Sequence, residues 1–102
     1  MSNYILKNDK PVLAKDIMEW AKWYEAADRN IEKTKVGEVD ISTVFLGTDH
    51  SFDDGPPLLY ETMVFGGKLD QEQDRYTTKT EAQIGHKRMV AKVIVSEEFK
   101  ND

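Results

Sequence analysis

The first patterned stretch of apolar residues lies near the start of the chain. Its apolar side chains recur at intervals of three and four residues, which is the spacing of one face of an α-helix. The stripe consists of Leu13, Ile17, Trp20, Ala21 and Tyr24. It predicts a helix over about residues 12–28, preceded by a short edge strand at residues 4–6 and a polar turn at residues 7–11. Trp23 lies outside the stripe, and we expect it to be exposed.

The next stretch predicts a β-hairpin. Residues 31–36 and 39–46 are rich in β-branched side chains and flank Gly37-Glu38. Glycine in the first position of a two-residue connection suits a type II′ turn. This turn sets three pairs of residues opposite each other: Val36 and Val39, Thr34 and Ile41, and Lys35 and Asp40. An apolar pair, a β-branched pair and an ion pair then support the same register.

A loop and a third strand follow the hairpin. Residues 48–57 are dominated by Asp, Ser, Gly and two prolines, a composition typical of a loop. Residues 58–65 lie between a Pro-Pro pair and a Gly-Gly pair and predict a strand. Its consecutive apolar residues indicate burial on both faces, as in the centre of a sheet or at an oligomer interface. We expect an acidic loop after it.

The last patterned stretch predicts a second helix. Thr78 and Glu81 match the S/T-x-x-E capping box, which places the helix from residue 78 to about residue 94. Its buried side is predicted to comprise Ala82, His86, Met89 and Val93. Residues 96–102 are polar and are expected to fray. Together these elements predict one α+β domain over residues 1–102, a three- or four-stranded antiparallel meander packed by two helices in the order (β)αβββα.

The composition excludes several classes of protein. The chain has 102 residues, 14 basic and 19 acidic side chains, a net charge of −5 and no cysteine. Both halves are net acidic, so neither supplies the concentrated positive field that extended nucleic acid requires. No segment has the apolar length of a membrane span, and the first residues lack the apolar core of a signal peptide. We therefore expect a cytoplasmic protein without disulfides or zinc–thiolate sites.

The middle of the chain carries the most distinctive motifs. It contains STVFLGTDH over residues 42–50 and GPPLLYETMVFGG over residues 55–67, followed by Arg75-Tyr76-Thr77 and Gly85-His86. This combination resembles an uncharacterised family of small phage and prophage proteins, and the likeness is close over residues 39–90. The resemblance implies a phage context, and hence a location in the host cytoplasm, but no mechanism.

Asp49 and His50 lie where the predicted hairpin gives way to the loop. A histidine beside an aspartate suits a general base or, when it is protonated, a phosphate ligand. A turn aspartate next to a surface histidine is the alternative, and the turn chemistry of the loop favours it. The rings of Phe52 and Tyr76 are suited to stacking on a base or to packing in the core.

Glu61 lies on a strand face that also carries Met63 and Phe65. If that face is buried, the carboxylate requires a cation or a polar ligand. Arg29 and Arg75 are suitable partners for Glu61 or for a phosphate, because a guanidinium group presents a planar fork of donors. A structural ion pair is equally compatible with the pattern.

His86 lies on the apolar side of the second predicted helix. A lone histidine there is more often a hydrogen-bonded core residue than a ligand-binding one, because a buried imidazole needs a partner. Gly85 beside it costs about 1 kcal/mol relative to alanine within a helix. This cost indicates close packing or a ligand that approaches the backbone, and packing is the simpler explanation.

We therefore predict a non-enzymatic phage accessory protein that binds a small polar ligand and, in the most specific form, sequesters a nucleotide-derived host defence signal. The sequence contains no HExxH, P-loop or nucleophile elbow, so no metal, cofactor or catalytic residue is predicted. In so short a chain we expect the site at the interface of a homo-oligomer. The predicted binding residues are Asp49, His50, Phe52, Glu61, Arg75, Tyr76 and His86.

Two other functions are compatible with the same residues. The first is a protein-interaction module that acts on a host or phage protein. The second is a small hydrolase that uses His50, His86, Asp49 and Glu61.

Overall fold

Residues 2–98, the part of the chain that the computed structural model describes, form two antiparallel sheets and two helices. The elements in chain order are β1 (Tyr4–Lys7), β2 (Lys10–Leu13), α1 (Ile17–Ala26), β3 (Asn30–Val36), β4 (Val39–Phe45), β5 (Tyr60–Phe65), β6 (Gln73–Tyr76) and α2 (Lys79–Glu98). β1 pairs with β2, and a meander runs in the order β3-β4-β5-β6. The predicted α+β fold is confirmed, with β2 and β6 as strands that the sequence pattern does not predict.

The hairpin between β3 and β4 has the predicted register. Val36 lies opposite Val39, and the pairs Thr34–Ile41 and Lys35–Asp40 follow along the strands. Gly37 has a φ of 59°, whereas Glu38 is not among the residues with positive φ, which fits a type II′ turn rather than type I′. The hairpin prediction is therefore confirmed in its pairing and its turn.

The start of the chain differs from the prediction. The predicted edge strand is present as β1, but residues 10–13 form β2, in which Val12 lies opposite Ile5. Asn8 and Asp9 make the connecting turn with φ values of 51° and 66°, a conformation that these two residue types tolerate. The prediction of a helix from residue 12 is thus wrong, because backbone pairing with β1 uses those residues.

α1 is shorter than predicted at both ends. It starts only after Asp16, whose side chain accepts a hydrogen bond from the backbone N–H of Glu19 at 2.8 Å and so forms the N-cap. It ends at Ala26, because Ala27 has an extended backbone. α1 contains no buried residue.

Aromatic contacts hold α1 against the end of the main sheet. The Trp20 indole N–H donates to the carbonyl of Gly47 at 2.9 Å, and the Trp23 ring packs edge-on against Phe45 with 5.6 Å between centroids. The Arg29 guanidinium lies 4.0 Å from the centroid of the Tyr24 ring. Trp23 is therefore half-buried rather than exposed, and the predicted exposure is wrong because Phe45 supplies a packing partner.

α2 begins with the predicted capping box. The Glu81 backbone N–H donates to the Thr78 hydroxyl at 3.1 Å, and the Thr78 backbone N–H donates to the Glu81 carboxylate at 3.0 Å. The helix continues to Glu98, so residues 96–98 are helical rather than frayed, and residues 99–102 lie outside the described part of the chain. The predicted buried side is confirmed, since α2 buries Ala82, Gly85, His86, Met89 and Val93.

One face of the main sheet lies beneath α2, which contacts all four strands. Side chains on this face are almost fully buried and alternate with outward-facing ones along β4 and β5. They are Val39, Ile41, Thr43 and Phe45 from β4 and Tyr60, Thr62 and Val64 from β5. No helix among residues 2–98 covers the other face, which we call the open face.

β5 has an inner position between β4 and β6, but only one of its faces is buried. Phe65, on the open face, is 46% exposed, so the predicted burial on both faces is wrong. β6 lies within the segment expected to be an acidic loop. β6 is a four-residue strand at the edge of the sheet, where polar side chains are common. Its sequence therefore lacks the alternation of apolar and polar residues that would predict a strand.

Gly85 allows α2 to approach β6 closely. A Cβ atom added at Gly85 would lie 2.2 Å from the hydroxyl oxygen of Tyr76, well inside contact distance. The close-packing explanation for this glycine is therefore confirmed.

We expect G85A to lower the free energy of unfolding by about 1–2 kcal/mol. Forcing extra volume into a packed core costs about 1–3 kcal/mol, and the 2.2 Å approach to Tyr76 puts Gly85 in the upper part of that range, about 2–3 kcal/mol, from which the gain of about 1 kcal/mol from alanine in a helix is subtracted. Urea denaturation would measure the change. Q83A, at an exposed position of the same helix, is the control and should change stability by less than about 0.5 kcal/mol. A G85A protein as stable as the wild type would contradict the packing assignment.

Candidate functional site

The seven predicted site residues occupy three separate places in the protomer. Asp49, His50 and Phe52 lie in the loop between β4 and β5, outside the regular elements. Glu61 and Arg75 face each other on β5 and β6, and Tyr76 and His86 are buried beneath α2. The structure thus brings together two pairs and one loop cluster, but not one pocket.

Asp49 joins the two ends of the loop. Its carboxylate accepts hydrogen bonds from the backbone N–H groups of Ser51 at 2.9 Å and Leu58 at 3.0 Å, which joins the two ends of the loop. The Ser51 hydrogen bond holds the pKa of Asp49 below its ordinary value, with a smaller contribution from Leu58, although partial desolvation opposes both. The Oδ1 atom of Asp49 therefore accepts both backbone hydrogen bonds, and His50 Nε2 bonds to Thr48 instead of to Asp49.

His50 and Phe52 do not form a base-and-stacking pair with Asp49. The Nε2 atom of His50 lies 3.0 Å from the hydroxyl of Thr48, and the side chain of Phe52 is fully exposed. A depression of about 500 Å³ beside the loop is lined by Ser2, Asp49, Ser51, Phe52, Asp53 and Asp54. Three carboxylates at its wall disfavour a phosphate-bearing ligand there.

Glu61 and Arg75 form the predicted ion pair. The Arg75 Nε atom donates to the Glu61 carboxylate at 2.9 Å, across a pair of residues that lie directly opposite each other on β5 and β6. Both side chains are largely covered, which makes this pair more persistent than an exposed one. Within residues 2–98 the two Nη groups of Arg75 have no hydrogen-bond partner, and the Arg75 side chain is 30% exposed.

His86 is enclosed by hydroxyl groups. Its Nδ1 atom lies 2.7 Å from the hydroxyl of Thr43 and its Nε2 atom lies 2.8 Å from that of Thr34, while the Glu32 carboxylate is 3.8 Å from Nε2. The ring is fully buried, and burial lowers the pKa of His86 below 6.5 against the smaller opposing effect of Glu32. Both ring nitrogens are occupied, so His86 is a core residue in this protomer.

A chain of hydrogen bonds crosses the buried face of the sheet from Tyr76 to His86. The Tyr76 hydroxyl donates to Thr62 at 3.2 Å, and the hydroxyls of Thr62 and Thr43 are 2.5 Å apart. If Thr62 donates to Thr43 and Thr43 donates to Nδ1, the proton of a neutral His86 lies on Nε2 and is donated to the Thr34 hydroxyl, with the Glu32 carboxylate 3.8 Å away. We call this set of five hydrogen-bonded side chains, Thr34, Thr43, Thr62, Tyr76 and His86, the buried polar chain.

Tyr60 lies beside the buried polar chain but does not join it. Its side chain is fully buried, and its hydroxyl has no hydrogen-bond partner in the described part of the chain. Burial raises the pKa of both Tyr60 and Tyr76, so the two hydroxyls stay protonated at neutral pH. The two tyrosines therefore differ in hydrogen bonding although both lie in the core.

A groove on the open face holds residues that the sequence does not single out. It has a volume of about 480 Å³, and its lining residues are Lys33, Thr34, Lys35, Asp40, Ile41, Ser42 and Phe65. Lys33 lies opposite Ser42 and Lys35 opposite Asp40, so the groove crosses from the edge strand β3 over β4 to β5. Thr34 and Ile41 point towards α2 and contribute backbone here. The volume falls within the range of small-molecule sites.

The charges of the groove are only partly neutralised. Lys35 lies 3.5 Å from Asp40, with both side chains more than half exposed, whereas Lys33 forms no ion pair within residues 2–98. The Phe65 ring is 46% exposed at the other side of the groove. β3 is an edge strand, so alternate backbone N–H and C=O groups point away from the sheet at the rim. The groove therefore combines a free cation, a hydroxyl, backbone donors and an aromatic ring.

Comparisons with protein-family models, with curated proteins and with solved structures find no match for this chain. The resemblance to phage and prophage proteins stays a prediction from the motifs. No helix in the described residues is long and apolar enough to cross a membrane. Over the same part of the chain, no group of three His, Asp or Glu side chains is placed to hold a metal ion.

The stability of the fold should fall as the pH decreases below about 6.5. Because the pKa of His86 is lower in the folded state than in the unfolded chain, the unfolded state binds more protons in the interval between the two values, and unfolding becomes easier there. Urea denaturation between pH 7.5 and 5.5 would show this slope. In H86Q the free energy of unfolding should depend less on pH over this range. H50Q is the control, because it also removes one histidine but leaves the core unchanged.

A proton NMR titration of the His86 ring provides a second measurement that needs no variant. A midpoint above 6.5, or a stability that rises on acidification over this range, would contradict the burial of a neutral imidazole.

Removal of the two buried tyrosine hydroxyls should have opposite consequences. We expect Y76F to lower the free energy of unfolding by about 0.5–1.5 kcal/mol because it breaks a hydrogen bond, whereas Y60F should leave stability unchanged or raise it. Each variant deletes one oxygen atom, so each is the matched control for the other. A larger loss for Y60F in urea denaturation would show that its hydroxyl has a partner.

Proposed function

We propose that this protein binds a small anionic ligand with a planar ring, such as a nucleotide, in the groove on the open face. The observation that carries the proposal is that the unpaired ammonium group of Lys33 and the exposed ring of Phe65 line the same depression. The ligand is held without a covalent step, as in the binding function predicted from the sequence.

The cations of the groove support an anionic ligand. The chain carries a net charge of −5, yet two lysines project from neighbouring positions of the open face of β3. A lysine ammonium binds phosphate as a point charge and adapts its position through its flexible stem. The exposed Lys35–Asp40 pair contributes little to stability, so Lys35 can turn from Asp40 towards a ligand at little cost.

The neutral part of the groove supports a ligand with a ring. Phe65 offers a partly exposed aromatic face, and stacking of one base on an aromatic side chain contributes about 1–3 kcal/mol. Ser42 lies opposite Lys33 on β4, two residues from Asp40, which lies opposite both Lys35 and Phe65, and its hydroxyl can donate to or accept from a sugar hydroxyl. These groups match the phosphate, sugar and base of one nucleotide in that order.

Two of the predicted binding residues lie on the same open face as the groove. Glu61 precedes Phe65 by four residues on β5, which corresponds to about 13 Å along a strand. We therefore place the Glu61–Arg75 pair outside the contact area of a single nucleotide. A ligand with two nucleotide units would extend far enough to meet the unpaired Nη groups of Arg75.

We further propose that the protein is a phage accessory factor that acts in the host cytoplasm as a homo-oligomer and sequesters a nucleotide-derived defence signal. The motif resemblance supports the phage setting. Two residues that a hydrolase would use already have hydrogen-bond partners within the protein. Both ring nitrogens of His86 bond to threonine hydroxyls, and the Asp49 carboxylate accepts from the backbone, which supports sequestration over catalysis.

Calorimetric titration with inorganic phosphate, mononucleotides and cyclic dinucleotides tests the ligand class. We expect nucleotide binding that weakens at least tenfold in K33E, because a phosphate contact is lost and a like charge is introduced, and about tenfold in F65A. K10E, which changes an exposed lysine of β2 and alters the net charge equally, should bind as the wild type does.

Absence of heat with every nucleotide, or equal weakening by K10E and K33E, would refute the groove as the site. The ligand recovered after denaturation of the complex should be chemically intact, and a product in its place would favour the hydrolase. The same variants, produced in bacteria that use a nucleotide-signalled defence, separate sequestration from binding alone.

A further inference from the structure

The pairing of the strands arranges the side chains of the open face in rows that run across the sheet. Starting from the end nearest the hairpin turn, the first row is Lys35, Asp40 and Phe65, the second is Lys33, Ser42, Met63 and Gln73, and the third is Val44, Glu61 and Arg75. The groove takes up the first row and the β3 and β4 residues of the second. The open face therefore continues beyond the groove, across β5 to β6.

Apolar side chains lie between the groove and Arg75. Met63 is two residues from Phe65 on β5, and Val44 is two residues from Ser42 on β4. Both side chains are only partly buried, because no helix among residues 2–98 covers this face. An apolar floor accepts the flat face of any ring, so it adds contact area without selecting the base. The open face thus offers a second position for a ring, separate from Phe65.

The Glu61–Arg75 pair lies beside this apolar floor and has unused hydrogen-bonding groups. The Nε atom of Arg75 donates to the Oε2 atom of Glu61. Within residues 2–98 the two Nη groups of Arg75 and the Oε1 atom of Glu61 have no hydrogen-bond partner, and the side chains are 30% and 15% exposed. The pair carries no net charge, so it suits an uncharged base better than a second phosphate.

We infer that the ligand contains two bases and that the base beyond the groove is a guanine, bound by the Glu61–Arg75 pair. This inference rests on the proposed nucleotide site in the groove. A guanidinium group donates two parallel hydrogen bonds to the O6 and N7 atoms of guanine. Adenine carries an amino group where guanine has O6, so two donors would face each other. The Oε1 atom of Glu61 can accept from the ring N–H beside O6.

The distance between the two base positions determines the shape of the ligand. Glu61 precedes Phe65 by four residues, or about 13 Å along β5, whereas stacked nucleotides follow each other at about 3.4 Å. The two bases therefore lie apart on the face instead of stacking on each other. Lys33 belongs to the row between the two positions, where its flexible stem can bring the ammonium group to the phosphate that links them.

Calorimetric titration of the full chain with GMP and four 5′-phosphorylated ribodinucleotides, pGpG, pApA, pGpA and pApG, tests the inference without a variant. We expect pGpG to bind at least tenfold more tightly than GMP, because it fills both positions. It should bind about tenfold more tightly than pApA, which lacks the paired acceptors of guanine. Because only one base is selected, one mixed dinucleotide should bind as pGpG does and the other as pApA does. Equal affinities for GMP and pGpG, or for pGpG and pApA, would overturn the inference.

R75K tests which residue selects the guanine. Lysine keeps the charge and can still pair with Glu61, but it lacks the planar fork of donors. We expect R75K to bind pGpG as weakly as the wild type binds pApA, with unchanged affinities for pApA and GMP. R88K makes the same change at an exposed position of α2 and should keep the preference for guanine. A purely structural role of Arg75 would weaken every ligand equally, and this result would overturn the assignment.

The same titrations with K33E distinguish failure of this inference from failure of the groove. If K33E weakens all ligands while R75K keeps the preference for guanine, the groove is supported and the inference is overturned. If R75K removes the preference while K33E binds as the wild type does, the groove is refuted and the guanine contact of Arg75 is supported.

Discussion

The buried polar chain beneath α2 is the constraint on which the rest of the architecture depends. A sheet face that packs three threonines against a histidine loses stability for each threonine hydroxyl or ring nitrogen left without a partner, since a buried polar group without one costs about 1–3 kcal/mol. His86 meets that requirement only where its ring lies between Thr34 and Thr43. A shift of α2 by one residue would remove the histidine from this position and put the Gly85 gap out of line with Tyr76. Polar contacts thus select one register of the helix on the sheet, where aliphatic packing alone would permit several.

The fixed position of α2 determines what the remaining surfaces can do. Because side chains alternate along a strand, the residues that meet α2 leave their neighbours on the open face, where no helix among the described residues covers them. The groove with Lys33, Ser42 and Phe65 is a direct result. The same rotation of α2 that buries His86 turns Ile84 and Val95 outward. The proposed ligand site and the outward side of α2 therefore lie on opposite sides of the sheet.

Much of the fold follows from local sequence patterns, whereas the candidate site does not. The type II′ turn and the capping box are specified within a few residues, and both are present as predicted. β2 and β6 escape prediction because they are four-residue strands whose pairing depends on distant partners. Two motif residues make contacts that hold the fold together: Asp49 joins the ends of a loop and His86 lies hydrogen-bonded in the core. Lys33 and Phe65 can be recognised as residues of one groove only when the pairing of β3, β4 and β5 is known. The hairpin register, which was predicted correctly, already placed Lys33 opposite Ser42.

The exposed position of β3 has a consequence for how this protein behaves in concentrated solution. Seven residues at the edge of a sheet offer unpaired backbone groups to any other strand, which is the usual starting point for edge-to-edge aggregation. Lys33 and Lys35 repel an approaching copy of the same edge, and the irregularity between Asn30 and Glu32 interrupts the flat ribbon that such stacking needs. Lys33 and Lys35 therefore oppose aggregation as well as lining the groove. In a chain without these two charges, only the irregularity between Asn30 and Glu32 would oppose pairing of β3 with the same edge of another copy.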